Sequence, residues 1–163
     1  MCLLEWGETL EDGRKTADVK DPEGRGLLHI AASKGGIGMC KYLLEDLEMA
    51  VDEKDNENCT PLLHASIKGH LDAVVYLIQK GADPCAIQRH NTTALHMATF
   101  AGQIEVMRYL LMKGVDVNTP SQLGTPLQQS NGKVDVVRVL LDHGANVSCT
   151  TLTFSKLYIP GLC

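Results

Sequence analysis

Four stretches of the chain repeat one arrangement of apolar and polar positions. A short segment of small and apolar residues comes first, holding Ala31-Ala32, Ala65-Ser66 and Ala98-Thr99 in three of the copies. It stops at Gly35, Gly69, Gly102 or Gly132. A second apolar run then begins at Ile37, Leu71, Ile104 or Val134 and carries the pairs Leu43-Leu44, Leu77-Ile78, Leu110-Leu111 and Leu140-Leu141. Pairs so placed give a helix one inward stripe. Gly81, Gly114 and Gly144 each lie 12 residues after the preceding segment's glycine, where a left-handed turn would close the second helix. Thr60-Pro61-Leu62 and Thr125-Pro126-Leu127 put a hydroxyl at a helix N-cap and proline at the first helical position, so both start a helix. The glycines that end the first segments stand 34, 33 and 30 residues apart. A period near 33 predicts an all-α repeat solenoid of stacked helix pairs. Short β-turn or hairpin loops join the copies, through polar stretches such as Asp21-Pro22-Glu23-Gly24 and Asp55-Asn56-Glu57-Asn58.

Thr60-Pro61-Leu62, Leu28-His29-Ile30-Ala31-Ala32, Leu95-His96-Met97-Ala98, Gly69-His70 and Gly81-Ala82-Asp83 resemble the ankyrin repeat. The likeness covers about residues 21–148, and agreement of four copies at many offsets makes it far more specific than a lone motif. Ala17-Asp18-Val19-Lys20-Asp21, Tyr42-Leu43-Leu44-Glu45 and the long joint from Leu47 to Asp55 further resemble plant ankyrin–tetratricopeptide proteins. That kinship implies a tetratricopeptide domain after the repeats, which nothing in this sequence resembles, so the chain would be a shortened form.

The expected division is a partial repeat and linker over residues 1–20, repeats at about 21–54, 55–87, 88–119 and 120–148, and a non-repeat tail over 149–163. Cys2-Leu3-Leu4-Glu5-Trp6 resembles a solitary second helix. In the second copy Leu63 takes the slot that His29 and His96 fill, which removes a polar bridge to the next turn. In the fourth copy Gln128 takes it, and Thr125 to Gly132 spans 7 residues where Thr93 to Gly102 spans 9. A first helix cut by half a turn makes this terminal copy the least stable. The tail's Leu152, Phe154, Leu157, Tyr158 and Ile159 suit either a cover over the last repeat or an exposed sticky end.

Composition narrows the function. Fifteen Lys and Arg against 20 Asp and Glu give a net charge of -5, leaving no basic stripe for phosphates, so nucleic acid is a poor partner. The acids concentrate in front: residues 1–57 hold 14 acids and 7 bases, and residues 58–163 hold 6 and 8. No apolar run is long enough for a membrane span and no secretory signal opens the chain. The expectation is a soluble monomer in the cytoplasm, with the nucleus as a second compartment. The six cysteines form no Cys-x-x-Cys pair and are read as reduced structural thiols. His29, His96 and His70 sit at the period of the repeat, whereas metal ligands must converge. No metal, no cofactor and no catalytic residue is expected, because the stack separates successive copies by about 10 Å. The chain is read as a non-enzyme.

The family resemblance implies protein binding on the concave face built by turn tips and first helices. Carried over by position, the variable slots are Pro22, Glu23, Arg25, Ser33 and Lys34, then Asn56, Glu57, Cys59, Ile67 and Lys68. The third copy offers Arg89, His90, Thr92, Phe100 and Ala101, and the fourth Ser121 and Gln122. Ile67 and Phe100 are large apolar groups at slots expected to face solvent, flanked by Lys34, Lys68 and Arg89, in the manner of an apolar anchor with a cationic rim. The expected function is an adaptor or scaffold. The alternatives are a chaperone-linked regulator or a truncated form of a larger ankyrin–tetratricopeptide protein with little activity of its own.

Overall fold

The computed structural model describes residues 19–147. The half-repeat at Cys2–Trp6 and the tail beyond 148 lie outside them. Helices α1 (Leu27–Ser33), α3 (Pro61–Lys68), α5 (Ala94–Ala101) and α7 (Pro126–Gln129) are the first helices of four successive pairs. Their partners are α2 (Ile37–Lys41), α4 (Leu71–Gln79), α6 (Ile104–Met112) and α8 (Val134–Asp142). All four second helices start where the sequence pattern placed them. Each first helix packs against the next first helix, and each second helix against the next second helix, giving two layers around one core. The described residues form no β-sheet; antiparallel bridges join Lys20 to Gly26 and Ser121 to Gly124 at the tips.

The core is the inward stripe repeated. Leu28, Leu62 and Leu95 from the first layer and Leu43, Leu77, Leu110 and Leu140 from the second are each at most 1% exposed. Small residues between the layers, Ala32, Ala65 and Ala98, are completely buried and let the helices approach. Gly69 and Gly102 cap α3 and α5 with φ of 78° and 80°, a conformation that a side chain would strain. Gly81, Gly114 and Gly144 carry the left-handed turns expected of them.

A ladder of side chains ties each copy to the previous one. His70 Nε2–H donates to the Ser33 carbonyl at 3.1 Å, Gln103 Nε2 to that of Ile67 at 3.3 Å, and Lys133 Nζ to that of Phe100 at 2.7 Å. These carbonyls belong to the last turns of α1, α3 and α5, which lack helical partners. The residue after each first-helix glycine therefore satisfies the preceding helix's end.

Two details differ from the sequence pattern. Thr60 was expected to cap α3, but it makes no cap bond and its Oγ1 is buried without a partner. Three residues on, Leu63 cannot return the bond that His96 and Gln128 give to the backbone amides of Thr93 and Thr125. The second helix of the first pair is short and continues as a π-helical turn over Tyr42–Asp46, after which Leu47 and Met49 amides bond back to Tyr42 and Leu43. As the spacing from Thr125 to Gly132 implies, α7 is the shortest first helix, with 4 residues against 7 or 8 in the others.

That shortening should set the order of opening, since each copy contacts only its neighbours. Hydrogen exchange is expected to be faster over residues 125–147 than over residues 60–113. Equal protection of the two stretches would show that the short helix carries no penalty.

Candidate functional site

The candidate face is built from the turn tips and the ends of the first helices. Ile67 and Phe100 are each the residue before last in α3 and α5, neighbouring helices that pack side by side. Phe100 is 56% exposed and Ile67 half-buried. The Lys133 and Gln103 bonds hold the backbone under both. Lys34 and Lys68 follow at the ends of α1 and α3, exposed, where a cation also complements the helix dipole. Ser33 turns its hydroxyl back to the Ile30 carbonyl at 2.9 Å. Along this row the first copy is polar, and the second and third are apolar.

The tips are less free than their sequence positions imply. Asn56 donates from its amide to the Glu23 carbonyl at 3.1 Å and from Nδ2 to that of Pro22 at 3.2 Å. Gln122 donates from its amide to the His90 carbonyl at 2.9 Å, while its Oε1 lies 2.8 Å from His90 Nδ1. These residues join successive tips. Arg25 is committed locally, with Nε on Asp21 at 2.7 Å and Nη2 on Glu23 at 3.4 Å. Thr92, expected at a variable surface slot, is 2% exposed and belongs to the interior. Glu57 is exposed, Cys59, Ala101 and Ser121 are half-buried, and the Arg89 side chain lies outside the described residues. Leu123, 68% exposed beside Gln122, was missed; an apolar residue at a tip where the other copies carry polar groups was its signal.

A family model described as Ankyrin repeats (3 copies) matches residues 7–88 and 85–151, nearly the whole chain. The chain belongs to the ankyrin-repeat family. Ankyrin repeats are protein-interaction modules, and the stacked helix pairs above are their architecture. Among its relatives, the chain is 37% identical over 81 residues to the 26S proteasome non-ATPase regulatory subunit 10 of Dictyostelium discoideum, an alignment covering 50% of this chain and 35% of the relative. It is 34% identical over 77 residues to the probable 26S proteasome regulatory subunit p28 of Saccharomyces cerevisiae, covering 47% and 34%. Similarity to Alpha-latrocrustotoxin-Lt1a of Latrodectus tredecimguttatus reaches 45% over 56 residues, 34% of this chain and 4% of that one. The chain thus spans about a third of the length of the proteasome-subunit relatives. Among the described residues no helix is long and apolar enough to cross a membrane.

Within this ankyrin array the histidine slot works as a clip. His29 Nδ1 accepts from the Gly26 amide at 3.1 Å, which leaves Nε2–H to donate to the Cys59 carbonyl of the next copy at 3.1 Å. His96 repeats the local half, accepting from the Thr93 amide at 3.2 Å. In the fourth copy Gln128 Oε1 does the same for Thr125 at 2.8 Å. Leu63 makes no such bridge. His64, displaced by one, instead meets Asp55 of its own tip at 2.8 Å.

Burial pushes both His29 and His96 below the ordinary histidine value, outweighing the carbonyls that favour their charged forms: Cys59 for His29, Gly124 and Thr119 for His96. A histidine with a depressed folded pKa contributes stability that is complete above about pH 6.5 and is lost as pH falls below it. The array is therefore expected to be measurably weaker near pH 5.5 than near pH 7.5 in urea unfolding, the window being set by those two depressed values. His96→Gln, which keeps the acceptor that Gln128 already supplies in the fourth copy, should flatten that dependence. An unchanged pH slope would show that His96 is not the group titrating.

Proposed function

We propose that this chain is a non-enzymatic adaptor or scaffold that holds a protein partner on its concave face. The array would divide at about 21–54, 55–87, 88–119 and 120–148. Phe100 and Ile67 form the apolar anchor. Lys34, Lys68 and Arg89 form the cationic rim, with Arg25, Ser33, Asn56, Glu57, His90 and Gln122 shaping the margin. One observation carries this reading: the exposure of Phe100 at the end of a first helix whose backbone is pinned from the next copy. A large aromatic group so placed contributes nothing to the core, and the backbone that carries it is held in place, which suits an anchor.

Two relatives are named as 26S proteasome regulatory subunits, so proteasome particles are the first partner to try. The rim suits an acidic segment, in the cytoplasm or nucleus. Partners captured by the intact chain, by Phe100→Ala and by an unrelated ankyrin array separate the outcomes. A partner held by the intact chain and lost from the other two supports the proposal. One shared with the unrelated array, or retained by Phe100→Ala, counts against it.

A further inference from the structure

The tip of the second copy holds a cluster that the repeat does not explain. Asp55, Cys59 and His64 each offer one ligand atom, and these atoms all lie within 4.8 Å of one another. The matching positions are Asp21, Arg25 and Ile30 in the first copy and Gln88, Thr92 and Met97 in the third. Neither set contains a thiol or an imidazole. Three residues separate Asp55 from Cys59 and four separate Cys59 from His64, a spacing that matches no familiar ligand motif.

Three copies hold the cluster in place. Asp55 is buried, and its Oδ1 accepts from the amides of Glu57 at 2.9 Å and Cys59 at 2.8 Å, which aims Oδ2 at His64. The Cys59 carbonyl is fixed by His29 of the first copy. The Cys59 thiol donates to Gln88 Oε1 of the third copy at 2.6 Å. A tetrahedral zinc ion, with bonds of about 2.0–2.1 Å to N and O and about 2.3 Å to S, separates its ligand atoms by about 3.3–3.6 Å. Asp55 and His64 would part by about half an ångström and the other gaps would close by at most about one, within reach of the half-buried Cys59 and His64 side chains.

We propose that Asp55, Cys59 and His64 bind a single divalent cation of the zinc class, with water completing the tetrahedron. A thiolate and an imidazole select such an ion over magnesium and calcium, which demand oxygen ligands. The charges balance: carboxylate and thiolate offset the two positive charges of the ion. On binding, the S–H bond is replaced by S–metal and its proton leaves to solvent. The proton on His64 Nε2 passes to Nδ1, freeing the Nε2 lone pair. Gln88 turns its amide so that Nε2–H faces the thiolate, an outer-sphere bond of the usual kind. In the metal-free chain, burial and then the Asp55 and Glu57 charges push the Cys59 thiol up to about 11, so it stays protonated and is a poor nucleophile. The cation would clamp the second tip to both neighbours and stabilise the folded array.

The test is cobalt titration of the full chain, followed by the thiolate-to-cobalt charge-transfer band in the near ultraviolet. One ion per chain and displacement by zinc are expected. Cys59→Ser should abolish the band and His64→Gln should weaken binding at least about tenfold, the scale on which even outer-sphere changes act. Cys85→Ser, at an exposed thiol outside the cluster, should leave both unchanged. Zinc should raise the melting temperature of the parent and of Cys85→Ser only. Absence of the band from the parent overturns the proposal, as does a band that survives Cys59→Ser, which would place the metal on another thiol. Should Cys59→Ser fail to fold, His64→Gln decides: cobalt binding equal to the parent's overturns the site.

Discussion

Leu77→Ala is expected to cost about 2–5 kcal/mol of folding stability, the usual range for deleting a fully buried leucine. Leu77 has no exposed surface and lies on α4, which packs between α2 and α6 as well as against α3. The cavity would open at the junction of the two most complete copies, where a linear array has no alternative route for coupling its ends. Chemical denaturation should therefore show a lower midpoint together with a broader transition, as the two halves begin to unfold separately. Met112→Ala is the control. That side chain is 70% exposed at the end of α6, and its loss should stay within about 0.5 kcal/mol. A cost below about 1 kcal/mol for Leu77→Ala would mean that the inward stripe is not what holds the array together.

The fold was legible because its information is translational. One glycine, one apolar pair and one small-residue pair recur at a fixed offset, so an ambiguous copy borrows its assignment from clearer ones. Ile37, Leu71, Ile104 and Val134 could be placed as helix starts on that ground alone. What depends on a single copy was not legible. Thr60 reads as a cap by analogy with Thr125, yet its hydroxyl makes no cap bond, and Leu63 cannot return the second bond that Gln128 supplies in the fourth copy. Thr92 reads as a surface slot by its offset, yet it is buried next to a tip in which His90 and Asn91 take positive φ. The candidate site divides the same way. Phe100 and Ile67 were visible because large apolar groups stand out at slots the repeat leaves variable. The Asp55, Cys59 and His64 cluster was not, because a loop carboxylate, a tip thiol and a helix imidazole converge only through the turn that Asp55 itself organises.

Phe100→Ala is expected to weaken a concave-face partner about thirtyfold, equivalent to the roughly 2 kcal/mol that a buried aromatic anchor carries. Folding stability should hardly change, because the ring is 56% exposed and the bond from Lys133 engages the backbone carbonyl, which alanine retains. The two measurements must be made together, since a variant that unfolded would lose its partner for a reason unrelated to the ring. Lys68→Glu combined with Arg89→Glu should act through a different step. Rim charges steer encounter, so this variant should slow association with an acidic partner and reverse its salt dependence, while leaving dissociation nearly unchanged. A slower association at constant dissociation in that variant, beside a faster dissociation in Phe100→Ala, would separate rim from anchor within one binding face. A genuine partner that binds Phe100→Ala as tightly as the parent would remove the anchor from the face altogether, and the exposed ring would then be one of the scattered apolar residues that any protein surface carries.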